Sequence, residues 1–410
     1  MKNTKPEGIK LFSNNDSRKQ SSRKTSTEFI SRELIGKVRN FHQSFPNYQP
    51  TPLHSLNNLA KRINVKKIWV KDESFRLGLN AFKVLGGSYA IAFYLSRKLG
   101  IQIADLSFEM LKTSDYKEKL GTITFVTATD GNHGRGVAWT ARELDQKAVV
   151  FMPKGSSQFR VDNIKKENAE VIVTNEYYDE TVKMAADFAA ENNGVLIQDT
   201  AWEGYIEIPT WIMQGYSTLI DEVLDQMKTQ GELMPTHVFL QAGVGSLAAA
   251  IQGYLTTKFG DDRPLTVIIE PHNAACLFKS AQIGDTKPHT VGGSLATIMV
   301  GLACGKPSII AWEILRDYSD YFVSCSDRIS ENGMRMLAKP LSGDPKIISG
   351  ESGAVGLGLL VEILTSKLYS DLKESLDLSK SSQVLIFNTE GDTDPNHYRE
   401  IIKDGYSFIL

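Results

Sequence analysis

Residues 122–154, TITFVTATDGNHGRGVAWTARELDQKAVVFMPK, decide the fold that the sequence predicts. Short runs rich in Val, Ile, Phe and Thr flank one amphipathic segment, which predicts a strand, a helix and a second strand. Because a helical crossover returns the chain in the same direction, the two strands are expected to lie parallel. The alternation resumes with HVFLQAG at residues 237–243 and ends with QVLIFNTEG at residues 383–391.

The pattern predicts an α/β fold of two open, mainly parallel twisted sheets with flanking helices. A chain of 410 residues is long for one hydrophobic core, so two domains are expected. We predict a large domain from residues 1–93 and 205–410, with residues 1–27 as a poorly ordered lead-in, and a small domain from residues 94–204. The active site is expected in the cleft between them, where parallel strands end.

Composition excludes several classes of function. A net charge of −2 argues against a nucleic-acid or anionic-membrane surface. No apolar run reaches the roughly 20 residues of a membrane helix, and the N-terminal stretch has no apolar centre, so a cytoplasmic location is expected. Three cysteines, Cys276, Cys304 and Cys325, show no metal-binding spacing and are expected to be buried thiols, although a Cys276–Cys304 bridge stays possible. No metal is expected.

The segment LNAFKVLGGSYA, residues 79–90, places one lysine in an apolar setting. Lys83 lies between Phe82 and Val84, directly before a predicted helix. Apolar surroundings destabilise an ammonium, so the pKa of Lys83 is expected to fall until its free amine can attack a carbonyl. The Gly-Asn-His-Gly turn at residues 131–134 offers backbone N–H groups to an anionic or carbonyl ligand. Together the two segments indicate pyridoxal phosphate chemistry at Lys83, with an ordinary surface lysine as the simpler alternative.

A glycine loop at residues 242–251, AGVGSLAAAI, separates a predicted strand from a predicted helix. Glycines let a backbone approach a phosphate, and a helix N-terminus supplies free N–H groups. The loop also matches the dinucleotide pattern G-x-G-x-x-A through Gly243, Gly245 and Ala248, with Glu270 as the acid for the ribose. A nicotinamide-dependent oxidoreductase is therefore an alternative, and tight packing of helix on sheet is another.

Several motifs together resemble one enzyme family. From about Ile35 to the C-terminus, the chain resembles the fold type II pyridoxal-phosphate enzymes, the tryptophan-synthase-β type that includes threonine dehydratase and cysteine synthase. The motifs that carry the resemblance occur in the family's order and are FKVLGG, TATDGNHGRG, LIQDTAWEGY, AGVGSL and NTEGDTDP. Within the family, the chain resembles the members that eliminate ammonia from 2,3-diaminopropionate. The resemblance implies a pyridoxal 5'-phosphate cofactor, an amino acid substrate and a homodimer.

The resemblance also assigns cofactor-binding roles. Its assignments are Lys83 for the cofactor aldehyde, Asn132 for the ring hydroxyl, Thr389 for the pyridine nitrogen, and the backbone N–H groups of Gly243, Val244, Gly245 and Ser246 for the phosphate. The neutral hydroxyl of Thr389 cannot hold the nitrogen protonated as a carboxylate would. A weaker electron sink of this kind suits elimination better than transamination.

Two acids indicate the substrate. Asp130 stands where the family's dehydratases and synthases usually have a serine, and Asp199 ends the predicted strand LIQD. Two buried carboxylates favour a substrate with an extra ammonium, which 2,3-diaminopropionate has and serine and threonine lack. We expect β-elimination to pyruvate and two ammonia from both enantiomers, with Lys83 as base for the L-isomer and Asp130 for the D-isomer.

Simpler interpretations of the same residues stay open. Asp130 could only cap the helix that begins near Asn132, and Asp199 could only form a strand-end turn. His133 is expected to pack or cap and is given no chemistry. A serine/threonine dehydratase of the same fold is the nearest alternative function, and a catalytically silent binding protein is another.

Overall fold

The structure is a computed structural model that describes residues 8–19 and 24–403 of the chain. In this part of the chain, eleven strands form two sheets. The strands are β1 (Lys10–Ser13), β2 (Leu53–Ser55), β3 (Lys67–Asp72), β4 (Thr124–Ala128), β5 (Lys147–Met152), β6 (Glu170–Val173), β7 (Val195–Leu196), β8 (His237–Gln241), β9 (Leu265–Pro271), β10 (Tyr321–Cys325) and β11 (Gln383–Asn388).

The strand order confirms the predicted α/β class. The larger sheet has seven strands in the order β1-β10-β9-β8-β11-β3-β2, and the smaller has four in the order β6-β5-β4-β7. All pairs in the smaller sheet are parallel. In the larger sheet only the two edge pairs, β1 with β10 and β2 with β3, are antiparallel.

Helices cover the sheets and connect their strands. Their bounds are α1 (Arg32–Gln43), α2 (Asn57–Arg62), α3 (Val84–Leu99), α4 (Phe108–Leu111), α5 (Ser114–Leu120), α6 (Asn132–Glu143), α7 (Gln158–Lys165), α8 (Tyr178–Glu191), α9 (Glu207–Tyr216), α10 (Thr218–Thr229), α11 (Ser246–Phe259), α12 (Cys276–Ile283), α13 (Ile309–Tyr318), α14 (Asp327–Ala338), α15 (Glu351–Thr365), α16 (Ser370–Ser375) and α17 (Pro395–Lys403). No helix among the described residues is long and apolar enough to cross a membrane.

The central strands of the larger sheet are buried along their whole length. Every residue of β8 and β11 is buried, since helices cover both faces of the sheet. This explains why the sequence there reads as continuous apolar runs rather than as alternation. Strand β11 pairs in parallel with β8 on one side and with β3 on the other, so the three strands end at one edge of the sheet.

The predicted poorly ordered lead-in is wrong for residues 10–13. They form β1, which pairs antiparallel with β10 along the edge of the larger sheet. The following Asn14 holds the chain in place by donating its side-chain N–H to the carbonyl oxygens of Arg316 and Ser319, at 2.7 and 2.9 Å. Residues 1–7 and 20–23 of the lead-in lie outside the described residues.

The smaller sheet spans residues 124–196, which fall inside the predicted small domain of residues 94–204. The larger sheet takes its strands from both sides of that segment. The division at residues 94 and 204 stays a prediction. Cys276, Cys304 and Cys325 are buried free thiols, so the Cys276–Cys304 bridge that the sequence left open is not formed.

A buried ionic cluster lies just before Lys83 in the chain and connects this segment to α10. Its members are Lys71 at the end of β3, Glu73 and Arg76 just beyond it, and Glu222 on α10, and all are buried. The Arg76 guanidinium donates to Glu73 and to Glu222 at 2.8 Å, while Lys71 donates to the second Glu222 oxygen at 2.6 Å. Removing one partner would leave a buried charge uncompensated, so loss of any member is expected to destabilise the fold.

Candidate active site

One cavity collects the predicted site residues. It lies between the two sheets and encloses about 800 Å³ of empty space, open mouth included. The larger sheet contributes the ends of β8 and β11, and the smaller sheet contributes the ends of β4 and β7. The predicted residues that line the cavity are Lys83, Asp130, Asn132, Asp199, Gly243, Val244, Gly245, Ser246 and Thr389. The structure therefore brings all of them together.

Lys83 immediately precedes α3 and faces the cavity. Its segment is fixed to the end of β11, because the Phe82 N–H donates to the Thr389 carbonyl oxygen at 3.2 Å and Ala81 bridges Glu390. Its ammonium Nζ lies 2.5 Å from an oxygen of Asp199, which is 3% exposed. The two side chains, 116 residues apart in sequence, thus form a nearly buried ion pair.

The predicted low pKa of Lys83 is wrong for this arrangement. Burial does destabilise the ammonium, but the Asp199 carboxylate outweighs burial and raises the pKa of Lys83 far above its ordinary value. Burial likewise opposes the charge of Asp199, yet Lys83 holds the pKa of Asp199 below its ordinary value. In this state Lys83 is a cation, and Asp199 is its counter-ion rather than only a turn former.

Asp130 follows β4 and does not cap α6. The capping oxygen is that of Thr129, which accepts the N–H groups of Gly131 at 2.9 Å and Gly134 at 3.1 Å. The interpretation of Asp130 as a helix cap alone is therefore wrong. Its half-buried carboxyl lines the cavity instead. Burial raises the pKa of Asp130 to about 7, although the cations Arg160 and Lys83 oppose the shift.

Asn132, the first residue of α6, joins the two sheets. Its side-chain Nδ2 donates to Glu390 Oε2 at 2.5 Å, directly beyond β11. The other Glu390 oxygen accepts the N–H of Ser352 on α15 at 3.2 Å. Glu390 is buried, so it fixes the orientation of the Asn132 amide at the edge of the cavity. Its neighbour His133 packs as expected, with Nε2 2.7 Å from the Ile197 carbonyl oxygen.

The glycine loop between β8 and α11 forms a narrow backbone cradle. A Cβ added at Gly243 would lie only 3.0 Å from Cys304 Sγ, so a larger residue there would crowd its neighbours. Gly245 has a φ of +99°, a left-handed conformation that favours glycine. The first N–H groups of α11 have no acceptor within the helix, which makes this end suited to an anion. The Ser246 hydroxyl donates to the Asp199 carbonyl oxygen at 2.6 Å.

Glu270 does not serve as a ribose-binding acid. Its two carboxylate oxygens accept the N–H groups of Leu277 at 2.8 Å and Phe278 at 2.6 Å, so it caps α12. The residue is fully buried, and burial raises its pKa to about 8. A carboxyl group already committed to two backbone donors is not available to a ligand, which removes the basis of the dinucleotide interpretation.

Thr389, at the end of β11, keeps a neutral hydroxyl in the cavity wall. Its Oγ1 accepts Gln241 Nε2 at 3.1 Å. No prediction from the sequence covers other residues that line the cavity, among them Arg160, Tyr178, Tyr216 and Glu390. Glu390 adjoins Thr389 in the motif NTEGDTDP and could have been found there. The others have no local sequence signal, since only the tertiary fold brings them to the cavity.

A comparison with protein families identifies the class. The model of the family described as pyridoxal-phosphate dependent enzyme matches residues 45–389. The chain therefore belongs to the pyridoxal-phosphate-dependent enzymes, and its cofactor is pyridoxal phosphate.

Individual relatives of the chain show which group of this family it belongs to. The chain is 51% identical over 368 residues to a diaminopropionate ammonia-lyase of Salmonella typhimurium, covering 90% of this chain and 91% of the relative. The crystal structure of the Escherichia coli diaminopropionate ammonia-lyase in complex with D-serine matches with a TM-score of 0.89 and 48% identity, covering 96% of this chain and 97% of that one. A second structure of that enzyme, with an aminoacrylate-PLP azomethine reaction intermediate, matches with a TM-score of 0.87 and 47% identity, covering 96% and 97%. Within its family, the chain belongs with the diaminopropionate ammonia-lyases.

The cavity fits this cofactor. The cradle at residues 243–246 offers the close backbone approach and the free N–H groups that a phosphate requires. The buried hydroxyls of Tyr216 and Ser352 line the same cavity and have no hydrogen-bond partner within the described part of the chain. A polar ligand would satisfy them. Lys83 supplies the amine that an aldehyde needs.

Proposed function

We propose that the chain eliminates ammonia from both enantiomers of 2,3-diaminopropionate. The products are pyruvate and two ammonia, and one water is consumed. The observation that carries the proposal is the convergence of Lys83, Asp130 and Asp199 in one cavity. A substrate with a second ammonium needs carboxylates close to its reacting carbons, and hydroxy amino acids do not.

The cofactor would be held from four sides. Lys83 would carry its aldehyde, and the backbone N–H groups of residues 243–246 would bind its phosphate. Asn132, oriented by Glu390, would donate to the ring hydroxyl, and Thr389 would face the pyridine nitrogen. When bound, pyridoxal phosphate withdraws electrons from the Cα of an amino acid and acidifies the Cα proton.

Proton transfer would use a different base for each enantiomer. The Cα proton of the L-isomer would be taken by the Lys83 amine once the cofactor aldehyde no longer occupies it. In the D-isomer this proton points to the opposite face, where the Asp130 carboxylate would accept it. A pKa of about 7 leaves Asp130 about half ionised at neutral pH, which is suitable for a general base.

The leaving group requires a proton. Ammonia departs readily from the β-carbon only while it is protonated, so a carboxylate would have to hold that ammonium. Asp199 forms an ion pair with the Lys83 ammonium in this structure. It would be available to the substrate ammonium while Lys83 is a neutral amine, and Asp130 offers a second carboxylate.

Two further proposals concern assembly, by analogy with the family, and location, from the sequence. We propose a homodimer, which size-exclusion chromatography with light scattering would test. We also keep the cytoplasmic location expected from the sequence, which fractionation of cells that express the chain would test.

The function is tested by following pyruvate release from the D- and L-isomers of diaminopropionate and of serine, with ammonia counted against pyruvate. We expect turnover of both diaminopropionate enantiomers, with two ammonia for each pyruvate. Faster turnover of serine or threonine than of diaminopropionate would favour the dehydratase instead. That alternative has a distant counterpart in a threonine dehydratase of Haemophilus influenzae, which is 27% identical over 75% of this chain and 52% of the relative.

A further inference from the structure

One cation in the cavity wall has no role in the mechanism above. Arg160 is the third residue of α7, which follows β5 of the smaller sheet. Its half-buried side chain lines the cavity beside Asp130. The stem passes directly over the turn that opens α6, since a Cβ added at Gly131 would lie 3.2 Å from Arg160 Cδ.

The Arg160 guanidinium has no carboxylate partner within residues 8–19 and 24–403. Among the described residues it makes one hydrogen bond, a long one from Nη1 to the Asp130 carbonyl oxygen at 3.5 Å. The neighbouring arginines of the smaller sheet differ, because Arg135 and Arg142 both pair with Glu167. A guanidinium held in a cavity wall without a hydrogen-bonded carboxylate is suited to an anionic ligand, and its planar fork matches a carboxylate.

We propose that Arg160 binds the α-carboxylate of the substrate above the turn of residues 131–133. This inference rests on the proposed function and adds the residue that recognises the other end of the amino acid. The charges of the cavity then complement the substrate, with Asp130 and Asp199 facing its ammonium and Arg160 facing its carboxylate. The N-terminus of α6 lies under the same point and adds partial positive charge.

The position of Arg160 also affects the pKa of Asp130, the proposed base for the D-isomer. Arg160 is the strongest of the charged groups that lower the pKa of Asp130, and Lys83 acts in the same direction, whereas Asp199 and Asp179 raise it. Replacing Arg160 by a neutral residue is therefore expected to raise the pKa of Asp130.

The test compares substrates with and without the carboxylate. Arg160→Met and Arg160→Lys are assayed with D- and L-diaminopropionate and with 2,3-diaminopropionamide, whose neutral amide replaces the carboxylate. Where the amide is turned over too slowly, its inhibition constant against diaminopropionate is measured instead. We expect Arg160→Met to lower kcat/KM for diaminopropionate about 10- to 100-fold, mainly through KM, and to change the values for the amide by less than about threefold. Arg160→Lys should be intermediate.

A matched control removes a positive charge nearby without touching the cavity. Lys154 follows β5, lies 3.7 Å from the centre of the Tyr177 ring and is exposed. Lys154→Met is expected to leave kcat/KM unchanged for both substrates. The visible cofactor band of each variant reports whether the holoenzyme is intact, and if Arg160→Met loses it, Arg160→Lys carries the comparison because it keeps the charge and the stem.

The outcomes separate this inference from the proposed function. Equal losses with diaminopropionate and with its amide, or no loss with either, would overturn the role of Arg160. A wild-type chain that binds cofactor but releases no pyruvate from diaminopropionate would instead overturn the proposed function.

Discussion

Replacing Asp130 by Asn should separate the two enantiomers. Asn has nearly the same shape but cannot accept the Cα proton, and Thr129 rather than Asp130 caps α6, so the fold should survive. A general base typically contributes about 10²- to 10⁴-fold in rate. We therefore expect kcat for D-diaminopropionate to fall at least about 100-fold, or roughly 2.7 kcal/mol, and to fall much less for the L-isomer.

The wild-type enzyme offers the same test through pH. Only the ionised carboxylate accepts a proton, so activity on the D-isomer should rise with pH through the Asp130 pKa of about 7. About 1% of such a group is ionised at pH 5 and about half at pH 7, which predicts a roughly 50-fold rise. Dividing kcat/KM for the D-isomer by that for the L-isomer removes the titration of the substrate, because enantiomers have identical pKa values. The ratio should level off above about pH 8.

The assay is coupled detection of pyruvate at substrate concentrations around KM, with each isomer of verified enantiomeric purity. Asp187→Asn is the matched control, since Asp187 on α8 is an exposed acid that does not line the cavity. It should preserve the D-to-L ratio. The assignment of Asp130 to the D-isomer and Lys83 to the L-isomer would be refuted by an equal fall in kcat for both isomers in Asp130→Asn. A D-to-L ratio of kcat/KM that does not change between pH 5 and 8 would also refute it.

Three further substitutions test the ion pair of Lys83, the glycine loop and the buried ionic cluster. Asp199→Asn should lower the pKa of Lys83, because burial destabilises the ammonium and the carboxylate that opposes this effect is gone. When apoenzyme is mixed with cofactor and borohydride, the pH at which half of Lys83 is labelled should therefore fall. Gly245→Ala should weaken cofactor binding in a titration, because Gly245 has a φ of +99° that favours glycine. Gly260→Ala, at the other end of α11, is the control and should leave cofactor binding unchanged, since Gly260 has a φ of +55° and open space around it. Glu222→Gln should cost about 3–5 kcal/mol in the free energy of unfolding by denaturant, because it removes a buried carboxylate from two cations. The pKa of Glu222 is lowered in the fold, so its contribution is present above the unfolded pKa of about 4.3 and is lost as pH falls below it.

The parallel strands could be predicted because each is a complete local signal. Buried strands such as β5 and β9 are continuous apolar runs bounded by turns and separated by amphipathic helices. No prediction from the sequence covers β1, β2 and β10. The first two are edge strands of four and three residues, and their pairing depends on tertiary contacts rather than on their own sequence.

The members of the site could be predicted, but not their electrostatics. Turns that follow parallel strands converge at one edge of a sheet, so placing Asp130, Asp199 and the glycine loop after predicted strands sufficed to bring them together. The pKa of Lys83 depends instead on a contact with a residue 116 positions away. Arg160 lies in a polar surface helix, and nothing in its local sequence separates it from its neighbours.

The proposed mechanism requires that Lys83 binds the cofactor aldehyde. The most direct test is borohydride reduction of the purified holoenzyme, followed by proteolysis and mass spectrometry of the peptides. The account predicts loss of the yellow absorption band and one reduced phosphopyridoxyl adduct, on Lys83. An adduct on another lysine, such as the buried Lys71, or no adduct at all, would contradict it.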